Sequence, residues 1–347
     1  MTTLSIDGRK LMVSIKQVAK QAGVSFKTVS RVVNNDPNVR EETRARVQEA
    51  IAALNYRPNR AARMMRNQQS GVIGFISDEV VTQPYAGDLL IGAQEVASQH
   101  DKVLMVVNIE NDRIGRQRAI DMLLERRVEA LVYASYYHKE VQVPQEMLQV
   151  PSVLVNCYAE NETLTTFIPD EVQAGYDATR LLLEQGHKRI GHITLNPDIV
   201  ASVKRLEGYR KALAEAGISY DPQLIVQGES RFDEAGDSAS VEKAVAELLK
   251  LTHQPTAFVC GKDEFAMQAY FEFSKRGLQV GRDIAVTSFD NQRMIAPGLS
   301  PGLTTMALPH FEMGQAAMNS IFNQGDDMVT RLIPFSVIER QSHLLKN

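Results

Sequence analysis

The chain has 347 residues, more than one ordinary domain, and its 44% hydrophobic and 23% charged content is that of a soluble globular protein. No apolar run approaches the ~20 residues that a bilayer-spanning helix needs, and Cys157 and Cys260 are too few for a disulfide framework or a zinc site, which fits a reducing cytoplasm. The net charge of −4 taken alone argues against nucleic acid, yet residues 1–70 hold 13 Lys and Arg against 5 Asp and Glu, a balance of +8, while the remainder carries −12.

Met1 to Val13 includes Asp7, Arg9 and Lys10 and has no apolar core, so it does not read as a signal peptide. The segment SIKQVAKQAGVSFKTVSRVVNN (14–35) then carries the strongest local signal. Ser14 followed by Gln17 forms a capping box opening a helix with Ile15, Val18, Ala19 and Ala22 on one face. Gly23 allows a tight turn, and Ser25 caps a second helix whose Val29, Val32 and Val33 face inward. Phe26, Lys27, Ser30 and Arg31 are left on its outer side. Helix, glycine turn and helix in about twenty residues is the helix-turn-helix layout of DNA-binding proteins. A third helix is expected from about Glu41 to Leu54, with Val47, Ile51 and Leu54 as its core stripe. Residues 59–69 (NRAARMMRNQQ) are too short for a stable isolated helix and would order only against DNA or a second subunit.

From Gly71 onward, apolar runs alternate with amphipathic stretches. The runs are GVIGFIS, VLMVVNI, ALVYAS, SVLVNCY, RIGHIT, TAFVCG and IAVTSFD; helical stretches such as DLLIGAQEVASQ, GYDATRLLLEQG and RLEGYRKALAEAG separate them. Continuous apolar strands between helices predict parallel sheets covered on both faces. About ten strands are too many for one small sheet, so two lobes are expected. Ligands of such sheets bind beyond the carboxyl ends of the strands, which draws attention to Ser77, Tyr85, Ser135, Asn156, Asp170, Lys262 and Asp290. YASYYH (133–138) can line the mouth of such a pocket or pack between lobes. His187 and His192 flank a helix-to-strand turn with no third ligand nearby, a structural pattern more than a metal site. GxxxxGK[ST], GxSxG and HExxH are absent, as is a GxGxxG at a strand–helix junction, so neither catalysis, a cofactor nor a bound metal is expected.

The chain closely resembles the LacI/GalR family of bacterial repressors, in IKQVAKQAGVSFKTVSRVVNN, in VREETRARVQEAIAALNYRPNRAAR and in the order of elements after residue 70. The resemblance implies an all-α helix-turn-helix domain (12–58), a hinge helix (59–69) and a two-lobed α/β body like periplasmic binding proteins (70–341). The chain would cross between lobes near 165, 290 and 325, giving an N-lobe of about 70–165 and 291–325 and a C-lobe of about 166–290 and 326–341. Phe26 and Lys27 would read base edges, Arg31 a guanine or phosphate, and Thr28, Ser30, Asn34 and Tyr56 the DNA backbone, with Ser14 and Ser25 beside them. The hinge would contribute Asn59, Arg60, Ala62 and Met65, the last standing where the family usually wedges Leu into a base step. Family members usually start closer to the first helix, so Met12 is the expected native start.

In the body, the resemblance marks Tyr85, Asp88, Asp170, Arg205 and Asp290 as effector contacts, beside Ser135 and Asn156. Two departures stand out: Arg231 where an aromatic ring is common, and Lys262 where the family often has Gly, Ser or Asn. With Arg205 they would place three cations at the cleft and favour a sugar acid or sugar phosphate. Equally open is that Lys262 pairs with Asp263 or Asp290 while Arg231 faces solvent. The expected protein is therefore a cytoplasmic, nucleoid-associated homodimer without a tetramerising leucine tail, binding a near-palindromic double-stranded operator under control of a small carbohydrate-like effector. A transporter's solute-binding protein, the alternative, would not need the basic helical module, and a sugar-modifying enzyme would need catalytic residues that are not found.

Overall fold

A computed structural model describes residues 13–56, 70–80, 87–109, 113–159, 164–230, 239–323 and 329–344. The chain divides into two units, 1–70 and 71–347. Among the described residues the first holds three helices, α1 (Ile15–Ala22), α2 (Phe26–Val33) and α3 (Glu41–Leu54). Their starts follow from local chemistry: the Ser14 N–H donates to Gln17 Oε1 at 2.7 Å, and Ser25 Oγ accepts from the Thr28 N–H at 3.1 Å. Gly23, at φ 63°, ends α1 in the left-handed region that a Cβ disfavours. Val18, Ala19, Ala22, Val29, Val32, Val47, Ala50 and Tyr56 form the small core. The three expected helices stand where the periodicity puts them.

The second unit is built on two six-stranded sheets. In the first the order is β11-β5-β4-β3-β1-β2, all parallel, with β1 Val72–Asp78, β2 Val103–Ile109, β3 Ala130–Glu140, β4 Ser152–Tyr158, β5 Thr165–Pro169 and β11 Thr330–Ile333. In the second the order is β12-β10-β9-β8-β6-β7, with β6 Ile190–Thr194, β7 Ile225–Gln227, β8 Ala257–Cys260, β9 Ala285–Asp290, β10 Thr304–Ala307 and β12 Ser336–Ile338. Only β12 runs antiparallel there. Helices α4 (Gly87–Gln99), α5 (Arg113–Glu125) and α10 (His310–Asn323) belong to the N-lobe. Helices α6 (Glu171–Glu184), α7 (Val200–Glu215), α8 (Val241–Leu248) and α9 (Asp263–Lys275) belong to the C-lobe.

The chain does cross between lobes three times, but not at the expected places. Strand β5 pairs with β4, so the first crossing follows Pro169 instead of falling near 165. Strand β10 pairs with β9, which keeps residues 291–307 in the C-lobe and moves the second crossing from near 290 to between Ala307 and His310. The third lies between β11 and β12, at Pro334 and Phe335, not near 325. Proline lacks an N–H and breaks a ladder, so the stretch LIPFSVIER is shared between two sheets.

Two local features shape the space between the lobes. Strand β3 loses register with β4 between Ala134 and Lys139, so Ser135–His138 bulge out of the ladder toward the strand ends. Asn156, at φ 55°, answers the bulge: its Nδ2 donates to the Ser135 carbonyl at 3.0 Å and the Tyr136 carbonyl at 2.8 Å. In the C-lobe, α6 and α7 meet backbone to backbone at Gly175 and Gly208, where an added Cβ would lie 2.2 Å from the Arg205 oxygen or 2.1 Å from the Val172 oxygen. That close approach brings Glu171 and Arg205 together.

Candidate functional site

On the helical unit, the amino end of α2 offers the side chains that the sequence pointed to. Phe26 is 50% exposed, an aromatic ring with no core to fill. Lys27, Arg31, Asn34, Ser14 and Ser25 are exposed beside or near it, and Thr28 and Ser30 are half-buried. Arg31 stands 3.6 Å from Asp36, in an open pair that a phosphate or guanine can replace. Tyr56 is buried in the core, so its ring is structural whatever its hydroxyl touches. Asn59, Arg60, Ala62 and Met65 lie outside the described residues.

In the two-lobed unit, a cleft of about 160 Å³ is lined from the N-lobe by Tyr136, Tyr137, His138 and Asn156. Glu171, Asn196, Arg205, Glu229, Lys262 and Asp290 line it from the C-lobe. Arg205 is its centre of organisation. The Nε donates to Glu171 Oε2 at 2.7 Å, Nη1 donates to the Gly261 carbonyl at 2.6 Å, and the guanidinium lies 4.3 Å from the Phe289 ring centre. A buried guanidinium fixed on three sides is a rigid, pre-organised charge in the cleft. Asp290 ends β9 at φ 107°, a strained position of the kind found at binding sites. Burial pushes its carboxyl well above the usual range, against the pull of Arg205. Its neighbour Asp263 is pushed up to about 6 by burial, although Thr305 and the Gln292 N–H both donate to it.

Lys262 does not meet the partners considered for it from sequence. Its Nζ donates to Glu229 Oε2 at 2.8 Å and stands 3.7 Å from Glu264. Burial opposes its charge, but Glu229, Glu264 and Asp290 outweigh that and hold its pKa above the ordinary value. Of the three cations expected at the cleft, Arg205 and Lys262 line it, each with a carboxylate partner, while Arg231 lies outside the described residues, as does Tyr85.

Other sequence-marked residues fall elsewhere. Asp170 caps α6, accepting from the Gln173 N–H at 3.0 Å, and the next residue, Glu171, lines the cleft. Asp88, in the first turn of α4, accepts from Arg293 at 2.8 and 3.1 Å, an ion pair joining the N-lobe to the turn after β9. Ser135 is buried at the bulge, where its carbonyl serves Asn156. His187 bonds Thr256 Oγ1 at 2.8 Å and His192 packs on Tyr209, both within the C-lobe and apart from any group of metal-ligating residues among those described. The pattern missed Glu171, Glu229 and Asn196; the signal available for the last two was only their place just after β7 and β6.

Residues 14–59 match the model for bacterial regulatory proteins of the lacI family, and residues 70–341 match that for periplasmic binding proteins and the sugar binding domain of the LacI family. The chain belongs to the LacI family. It is accordingly a DNA-binding transcriptional repressor with a sugar-binding domain, a regulator and not an enzyme. Catabolite control protein A of Priestia megaterium is 32% identical over 309 residues, covering 88% of this chain and 90% of that protein. The lac repressor dimer bound to operator and the anti-inducer ONPF superposes with a TM-score of 0.72 at 26% identity, over 96% of this chain and 100% of that one. A complex of the transcriptional regulator CelR with cellobiose gives a TM-score of 0.64 at 26% identity, over 95% and 99%. No helix among the described residues is long and apolar enough to cross a membrane.

Proposed function

We propose that this LacI-family repressor is a cytoplasmic, nucleoid-associated homodimer whose affinity for a near-palindromic operator is set by an uncharged, carbohydrate-like effector in the cleft. Phe26 and Lys27 read base edges, Arg31 takes a guanine or phosphate, and Ser14, Ser25, Thr28, Ser30 and Asn34 steady the helix on the backbone. The hinge residues Asn59, Arg60, Ala62 and Met65 pair with those of the second subunit in the minor groove. The operator-bound lac repressor dimer and the cellobiose complex of CelR support both halves of the reading.

The observation that carries the effector assignment is Arg205 held by buried Glu171 with Asp290 and Asn156 lining the same cleft. Carboxylates and a guanidinium in one small space suit hydroxyls, which donate and accept at once. An uncharged sugar fits better than a sugar acid or phosphate, because an added anion would face Glu171 and Glu229, whose charges already answer the two cations. Ligand bridging the lobes changes the angle between them, which the Asp88–Arg293 pair resists or permits. Isothermal titration calorimetry with glucose, fructose, ribose, sucrose and cellobiose beside glucuronate and glucose 6-phosphate tests this: tight binding of a neutral sugar is expected, and tight binding of the anions alone removes it.

A further inference from the structure

Two side chains in the cleft each carry a buried polar atom without a hydrogen-bond partner among the described residues. Asn196, just beyond the end of β6, is 1% exposed, and its Oδ1 accepts from the Asp198 N–H at 2.9 Å. Its backbone N–H is used as well, donating to Glu229 Oε1 at 2.9 Å. Yet its side-chain NH2 has no hydrogen-bond partner among the described residues. His138, on the β3 bulge, is 8% exposed, its ring set edge-on to Tyr158 at 5.7 Å, and its buried Nδ1 has no partner among the described residues. Burial, with Arg205 and Lys204 adding to it, lowers the His138 pKa to about 4, so the ring is neutral at physiological pH.

A buried amide left unpaired costs free energy that a ligand can recover, and native proteins rarely keep such a group without a use. Both residues line the same cleft, one from each lobe. We propose that Asn196 and His138 determine which effector this cleft accepts, Asn196 donating to a hydroxyl oxygen of an uncharged sugar and His138 meeting a second hydroxyl from the opposite lobe. The assignment rests on the carbohydrate reading of the cleft and adds the two contacts that choose among sugars. Asn196 favours an oxygen acceptor because its Oδ1 already accepts from Asp198 and the unmet atom is its NH2, a donor. The neutral His138 ring pairs with a hydroxyl in either tautomer, so it discriminates by position instead of by charge.

Calorimetry on the intact chain with glucose, fructose, ribose, sucrose and cellobiose tests this, followed by the singly deoxygenated analogues of whichever sugar binds. Asn196→Asp keeps the shape and the acceptor for Asp198 while removing the donors. His138→Phe keeps the ring against Tyr158 and removes Nδ1. Each variant is expected to weaken binding at least about tenfold, the worth of one buried hydrogen bond. One deoxy analogue should be poorly bound by the wild type and no worse by Asn196→Asp, a coupling that a merely structural role would not produce. Variants that melt like the wild type without ligand yet bind within about twofold of it overturn the assignment while leaving the carbohydrate reading intact. Should Asn196→Asp not fold, His138→Phe and the deoxy series on the wild type decide alone. If no sugar in the panel binds the wild type, the carbohydrate reading itself fails, and this assignment with it.

Discussion

Arg205→Met strips the cleft of its organising charge and leaves Glu171, whose side chain is 3% exposed, without a counter-ion. The Gly261 carbonyl also loses a donor, and the Phe289 ring loses the cation over its face. Breaking a buried ion pair from one side costs about 3–5 kcal/mol, because the stranded charge keeps its desolvation penalty. In a domain of this size each kcal/mol moves the melting temperature by about 2–4 °C, so differential scanning calorimetry should show a fall of roughly 10 °C. Adding Glu171→Gln to Arg205→Met removes the stranded charge and should recover about half of that loss or more, although sugar binding stays lost. A fall of less than about 2 °C in the single variant, or a double variant no more stable than the single, would refute the reasoning that the pair is a buried, mutually dependent unit.

Phe26→Ala should leave the melting of the helical unit nearly unchanged, since the ring is half in solvent, yet weaken operator binding by about 5- to 150-fold in gel-shift titrations; intact affinity would remove Phe26 as a base reader. Ser25→Ala takes away the acceptor for the Thr28 N–H and should cost about 1 kcal/mol, read by thermal circular dichroism. His192 is fully buried, and burial, then Arg205, lowers its pKa from 6.5 to about 3. The unfolded chain therefore binds a proton that the folded one refuses between those values. Wild-type stability should fall relative to His192→Gln by about 1.4 kcal/mol per pH unit as the pH drops from 6 to 4, and parallel pH profiles would show that the histidine is not held neutral.

Where a residue's role is set by its near neighbours in sequence, the role was legible. Ser14, Gly23 and Ser25 fix the ends of α1 and α2 by local hydrogen bonds and backbone conformation, and all three act as the pattern reads. The long apolar strands of both sheets were equally plain. The short strands were not: TTMA in β10 and TRLI in β11 are stabilised by partners far along the chain, and nothing in four residues announces which sheet will take them. That is why the second and third lobe crossings were misplaced. The cleft was legible in kind but not in every member. Asp170 and Glu171 are adjacent, and only the packing of α6 on α7 at Gly175 and Gly208 decides that Glu171 faces Arg205 while Asp170 caps the helix. Glu229 could not be paired with Lys262 from sequence, because 33 positions separate them and the contact depends on how β7 and β8 flank β6. Asn196 was overlooked for a related reason: its unmet donors are a property of its surroundings and not of its residue type.

Ligand in the cleft and operator at the helical unit should be thermodynamically linked. Fluorescence anisotropy of a labelled operator, selected from random duplexes by the intact protein, measures that linkage directly when repeated with and without saturating amounts of the sugar found by calorimetry. A coupling of about 1–3 kcal/mol predicts a 5- to 150-fold change in operator affinity. A sugar that binds the cleft tightly while the operator affinity stays unchanged would contradict it.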